Sequence, residues 1–328
     1  MTRTLSLAAA LLCAAFAAAP AAANVVRTEN VEAELVADAV SIAPGQTFYV
    51  ALSQKIAPHW HTYWKNPGDS GEPTRVLLDL PEGWTAEEIV WPAPERLPFG
   101  PLVNYGYSDE VLLPIAVTPP ADLDAASVTL NAEATWLVCY EICIPEDGAF
   151  TLDLLVTQTP RANPNWADPI ADALAGAPRP LGADAILARQ GETVALHVAD
   201  AELGDPDAVR DLYFFPELPA AVEPAAAQPA AFYGDDGLTL DLSPGFALRD
   251  DLPPMDGVLA FERRADGGWV REAVHLTAAP GAIPALGAPL AVQAGIETHT
   301  RRYPLESANA ALDDLRAGRL EGAAVLVP

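Results

Sequence analysis

The sequence predicts an all-β protein of two antiparallel, sandwich-like domains. Three features carry that expectation: short segments in which apolar and polar residues alternate, turn residues recurring between them, and a proline- and alanine-rich break over 159–184. The 328 residues suffice for two domains of ordinary size. The formal net charge of −27, with Lys55 and Lys65 as the only lysines, leaves no basic patch to neutralise a row of phosphates, so no nucleic-acid partner is expected.

The chain opens on an export signal over residues 1–23. Arg3 supplies the positive start, Leu5 to Ala19 the apolar run, and Ala21-Ala22-Ala23 the small-residue cleavage site. Cleavage leaves Asn24 first, discards Cys13 and delivers the chain to the periplasm, where disulfides persist. No other run of about 18 apolar residues follows, so no membrane span is expected.

Residues 24–158 form the first β domain. Val31 to Val36 and Thr47 to Leu52 alternate, and Pro44-Gly45, Asn66-Pro67-Gly68, Pro81-Glu82-Gly83 and Asp147-Gly148 supply turns. The last strand is expected over Ala149 to Thr157. The aromatic stretch His59 to Gly68, read as a strand, puts His59, His61 and Tyr63 on one face and Trp60, Thr62 and Trp64 on the other. The segment Trp91 to Tyr107 opens with Pro92, Pro94, Pro98 and Pro101, which predicts a long ordered loop and neither helix nor central strand.

Cys139 and Cys143 organise this domain. A disulfide needs Cα atoms within roughly 7 Å. A straight strand would hold these two about 13 Å apart at ~3.3 Å per residue. Pro145 and the β-rich approach Val128 to Val138 argue against a helix, so a sharp turn at Tyr140 to Ile142 is expected. So short a loop constrains little of the unfolded chain, which favours a redox pair over a staple. A structural disulfide and two buried free thiols are the alternatives. Cys143, at the turn exit, is the expected attacking thiol. Glu141 between the cysteines and the negative chain disfavour a strongly acidic thiol.

Residues 159–184 read as a Pro/Ala-rich linker with a short helix over Trp166 to Leu174. The second domain, 185–280, has candidate strands at Thr193 to Val198, Asp211 to Phe215, Gly237 to Leu242, Val258 to Arg263 and Trp269 to Thr277. It carries no cysteine, and His197 and His275 read as isolated strand histidines. Residues 281–328 read as a loop-like tail with a helix over Ser307 to Ala317.

Two other functions fit the same residues. His59 and His61 with Cys139 and Cys143 offer two imidazoles and two thiolates, a donor set suited to zinc or copper. A structural β-sandwich module stapled by the disulfide is the other. A redox reading needs no cofactor and no metal.

Several segments in one order resemble the N-terminal periplasmic domain of the DsbD/ScsB family of thiol:disulfide interchange proteins. They are His61 to Gly71, Trp91 to Arg96, Asn104 to Tyr107, Trp136 to Cys139 and Cys143 to Pro145. The resemblance implies an immunoglobulin-like sandwich whose cysteine pair is reduced by a membrane-embedded thiol–disulfide electron donor. The pair then reduces periplasmic thioredoxin-like or disulfide isomerase proteins. It further implies an aromatic cap over the pair, placing Tyr105 in the capping loop, with His61 and Tyr63 beside the sulfurs. Three departures stand out. Three residues separate the cysteines, as in the ScsB-like branch, whereas the best-known DsbD members have five. Asn104 occupies the place of their capping phenylalanine. Membrane and thioredoxin-like domains do not follow, which implies a separate electron donor or a longer parent protein. The second domain is similar to the extra domain of the ScsB-like branch.

Overall fold

Alternating side chains pair the first half of the chain into two facing sheets. The computed structural model describes residues 25–248 and 252–294, the strands at 300–304 and 323–327, and a few positions between these. The export signal, Cys13 and most of the helix expected over Ser307 to Ala317 lie outside the described residues. The first domain runs through β1 (Val26–Arg27), β2 (Val31–Ala37), β3 (Ala39–Ile42), β4 (Phe48–Ile56), β5 (His61–Gly68), β6 (Arg75–Asp79) and β7 (Thr85–Ile89). It continues with β8 (Glu95–Phe99), β9 (Leu102–Ser108), β10 (Glu110–Thr118), β11 (Ser127–Cys139) and β12 (Cys143–Val156). One sheet has the order β1-β2-β4-β10-β7; the other includes β3-β12-β11-β5-β9-β8, with β6 paired to β11. Leu35, Leu52 and Leu113 of the first sheet meet Leu130, Trp136 and Phe150 of the second in one core. Burial of each such side chain contributes about 1.5–3 kcal/mol.

Two local expectations change. The proline-rich segment is a hairpin, β8–β9, and not a loop. Its prolines are admitted because Pro98 lies in β8, the edge strand of its sheet, where a missing N–H removes no ladder bond. The last strand starts earlier than Ala149: β12 begins at Cys143 and runs through Pro145 and Asp147-Gly148. At this end β12 pairs with β11 alone, since its pairing to β3 involves only Leu155 and Val156, so Pro145 sits where one side of the strand is open.

The linker is also more than a connector. It supplies β13 (Arg161–Ala162), which pairs with β3, and α1 (Ala167–Ala175), whose Ile170 packs with Trp166 and Leu174 against Val36 and Ala51. Four-residue spacing of Trp166, Ile170 and Leu174 gives the helix its apolar stripe. The segment then forms β14 (Arg179–Pro180), paired to a strand of the second domain.

That domain is built from β15 (Ala185–Gln190), β16 (Thr193–Val198), β17 (Val209–Pro216), β18 (Ala230–Phe232), β19 (Leu238–Leu242), β20 (Met255–Ala265) and β21 (Gly268–Pro280). The expected tail adds β22 (Ala291–Gln293) to the same sheet, and β23 (Thr300–Pro304) pairs in parallel with β24 (Ala323–Val327). Leu212, Phe214, Leu259 and Phe261 fill the domain's own core. Their neighbours Tyr213, Phe215, Val258 and Ala260 face the other way and join the core of the first domain. The unbroken run Tyr213-Phe214-Phe215 is therefore a strand buried on both faces.

Candidate functional site

β11 and β12 form one long hairpin whose final facing pair is Cys139 and Cys143. The chain reverses through Tyr140 to Ile142, with the Tyr140 N–H donating to the Ile142 carbonyl at 3.1 Å. The reversal brings the two Cα atoms to 4.2 Å and the sulfurs into a disulfide of 2.06 Å. The two cysteines differ in access: Cys139 is fully buried, whereas Cys143 is exposed, as are Tyr140, Glu141 and Ile142. Below the tip, the buried Glu146 carboxylate accepts bonds from Thr28, Asn30 and Trp136 Nε1. Those bonds tie the hairpin to the start of the domain.

β5 brings the polar side chains. His61 pairs across to Cys139 on one side and to Ser108 of β9 on the other. Tyr63 lies one alternation further on, and its hydroxyl reaches the Cys143 sulfur at 3.7 Å. Gly71, at φ 110°, lets the following loop cross the Tyr63 ring, where a Cβ would lie 2.2 Å from a ring carbon. Gly106 lets β9 close on β5; a Cβ there would meet the Thr62 carbonyl at 1.9 Å.

Asn104 of β9 is fully buried and connects these groups. Its Oδ1 accepts the Ser70 hydroxyl at 3.0 Å, and its Nδ2 donates to His61 Nε2 at 3.2 Å and to the Tyr63 oxygen at 3.4 Å. With the amide thus oriented, the Tyr63 oxygen accepts a hydrogen bond from Asn104 and turns its own hydrogen toward Cys143. Burial lowers His61 to about 4, so at neutral pH it is an uncharged acceptor for the Asn104 amide. Burial pushes the Tyr63 phenol up to about 12, so it stays a donor.

His61, Tyr63, Asn104 and the cysteines thus lie together, with Glu141 exposed on the turn. Tyr105 does not join them. Alternation along β9 sends it to the opposite face, where it is fully buried, its ring 4.9 Å from Phe215 and its hydroxyl 2.8 Å from that of Tyr213. The aromatic ring brought toward the site is Phe99, at the β8–β9 tip, edge-on to His61 at 6.4 Å. Its setting between Pro98 and Gly100-Pro101, at a hairpin turn, is the signal that sequence reading passed over. Ser70 was likewise missed, although it lies inside the His61 to Gly71 segment. His59 also departs from expectation. It sits at φ 74° in the turn before β5, 5.7 Å from the Tyr140 ring, and does not share a strand face with His61. Among the described residues no three of His, Cys, Asp and Glu converge as metal ligands.

Residues 30–155 match the family model of the thiol:disulfide interchange protein DsbD, N-terminal. Over these residues, rather less than half of the chain, the sequence is similar to a DsbD N-terminal domain. The solved structure of the N-terminal periplasmic domain of ScsB from Proteus mirabilis shares the fold at TM-score 0.53 and 19% identity, over 77% of this chain and 95% of that one. That span exceeds the DsbD segment, so the shared fold takes in the second β-rich domain. The Enterococcus faecalis MSCRAMM ACE structure aligns at a TM-score of only 0.16 and 8% identity, over 77% of this chain and 96% of that one. No curated protein sequence matches the chain. The matched segment is an immunoglobulin-like sandwich carrying the Cys139–Cys143 disulfide, and the similarity points to thiol–disulfide interchange. No described helix is long and apolar enough to cross a membrane.

Proposed function

We propose that the chain passes reducing equivalents through Cys139 and Cys143, from a membrane-embedded thiol–disulfide donor to periplasmic thioredoxin-like or disulfide isomerase proteins. The observation that supports this most is the asymmetry of the pair, one cysteine exposed and one buried, at the tip of a hairpin in the segment similar to the DsbD N-terminal domain. In the reduced protein the Cys143 thiolate attacks a sulfur of the partner's disulfide. A mixed disulfide forms and the partner's other sulfur leaves as a thiolate. Cys139, deprotonated, then attacks Cys143; the protein's disulfide closes and the partner departs with two thiols, having gained two electrons and two protons. Tyr63 favours Cys143 as the first attacker by donating to its sulfur, and Asn104 holds Tyr63 in that role. Exposed Tyr140 and Ile142 give the partner an apolar surface beside Cys143. Phe99, and not Tyr105, is the aromatic ring packed beside His61 at the edge of the site, and it leaves Cys143 exposed.

Thiol titration tests the reading. A chain beginning at Asn24 retains Cys139 and Cys143 as its only cysteines. It should show no free thiol after oxidation and both after treatment with a mild dithiol under native conditions. A disulfide that opens only on denaturation would remove the relay and leave a staple.

A further inference from the structure

Both strands that carry the polar groups of the site also reach the second domain. On β5, Tyr63 points to Cys143 and the next residue, Trp64, packs its ring 6.2 Å from Phe215. On β9, Asn104 holds Tyr63, and the next residue, Tyr105, packs on Phe215 and bonds to Tyr213. The Tyr213 hydroxyl itself donates to the Pro224 carbonyl at 2.9 Å, so the Tyr105 hydroxyl is the donor in their shared bond. The Arg96 guanidinium lies 4.4 Å over the Tyr213 ring and closes the cluster from β8. A third strut is Asn66. Its Nδ2 donates to the Pro216 carbonyl of the second domain at 2.7 Å, and its Oδ1 accepts the Gly68 N–H, which opens the loop that delivers Ser70 to Asn104.

We infer that the second domain is a buttress for the redox site: Tyr213 and Phe215 are positioning residues that hold β5 and β9 in the register at which Asn104 bonds Tyr63 and Tyr63 meets Cys143. Strand alternation supplies the route. A shift of Trp64 or Tyr105 on one face moves Tyr63 or Asn104 on the other, because adjacent residues share one rigid backbone. The second domain contains no cysteine and is not asked to do chemistry. Its contribution is to keep a 3.4 Å and a 3.7 Å contact from loosening.

The test uses the full chain from Asn24 with Tyr213→Phe, which deletes one hydroxyl, and Phe215→Leu, which deletes a ring. Leu196→Val, in the second domain's own core, is the control for general loosening. Two quantities are read: the equilibrium constant of the pair against glutathione, and the rate of Cys143 alkylation at one fixed pH. Both buttress variants should shift both quantities by about two- to thirtyfold, the range over which residues along a packed network alter a remote site. The control should stay at the parent's values. Unchanged values in both variants, or a control that shifts as far as they do, would overturn the inference. It rests on the redox reading, and the two fail differently. If glutathione cannot open the parent's pair, the redox reading fails; if the parent exchanges and the variants match it, only the buttress fails.

Discussion

Reduced Cys139→Ser treated with glutathione disulfide should accumulate a stable adduct on Cys143, and reduced Cys143→Ser should form none on the same time scale. The asymmetry follows from access. An incoming disulfide can approach the exposed Cys143 in line with the reacting sulfur, whereas Cys139 has no accessible surface. It also follows from the Tyr63 hydroxyl, which serves Cys143. Once Cys139 is serine, no second thiol exists to resolve the mixed disulfide, and the intermediate becomes the end point. Intact mass would show the adduct directly. Equal adduct formation in both variants would mean that the sulfurs are equivalent and that burial does not order the exchange.

Tyr105→Ala should destabilise the protein by about 3–5 kcal/mol, the range for removing a fully buried aromatic side chain. The ring touches Phe215 and Tyr213, and its loss opens a cavity where the two domains meet and removes the hydrogen bond that Tyr105 donates to the Tyr213 oxygen. Tyr105→Phe should lose only about 1 kcal/mol, because the ring remains and one hydrogen bond goes. Denaturant midpoints at constant slope would measure both. If Tyr105→Ala left stability near the parent and only sped alkylation of the cysteines, Tyr105 would be a cap over the pair after all.

The contrast between Asn104 and Tyr105 shows where the sequence was legible. Alternation in Val31 to Val36, the turn residues and the short Cys139/Cys143 interval were enough to indicate a sandwich with a hairpin-borne pair. That His61 and Tyr63 share a face was legible too, because a strand places every second residue together, while their place beside the sulfurs was implied only by the family resemblance. The register of β9 was not legible: nothing local says whether Asn104 or its neighbour faces the sulfurs until β9 is paired to β5 and β8. Proline in Trp91 to Tyr107 read as loop because composition cannot show that β8 is an edge strand. The fusion of the two domains was hidden for a similar reason. Tyr213-Phe214-Phe215 breaks alternation because both its faces are buried, one against each domain, and a composition-based break at 159–184 draws attention away from that run. His59 was misplaced because a positive φ is not written in a histidine, so the expected strand began two residues too early.

The most direct test of the relay is a transfer experiment. The chain beginning at Asn24 is reduced, freed of reductant and mixed with an equal amount of an oxidised thioredoxin-like protein carrying one disulfide. Thiols are then counted on each protein over time. The account predicts that Cys139 and Cys143 lose their thiols in step with the appearance of two thiols on the partner, with a Cys143-linked complex in between. A chain that keeps both thiols while the partner stays oxidised, although a small dithiol reduces that partner readily, would contradict it.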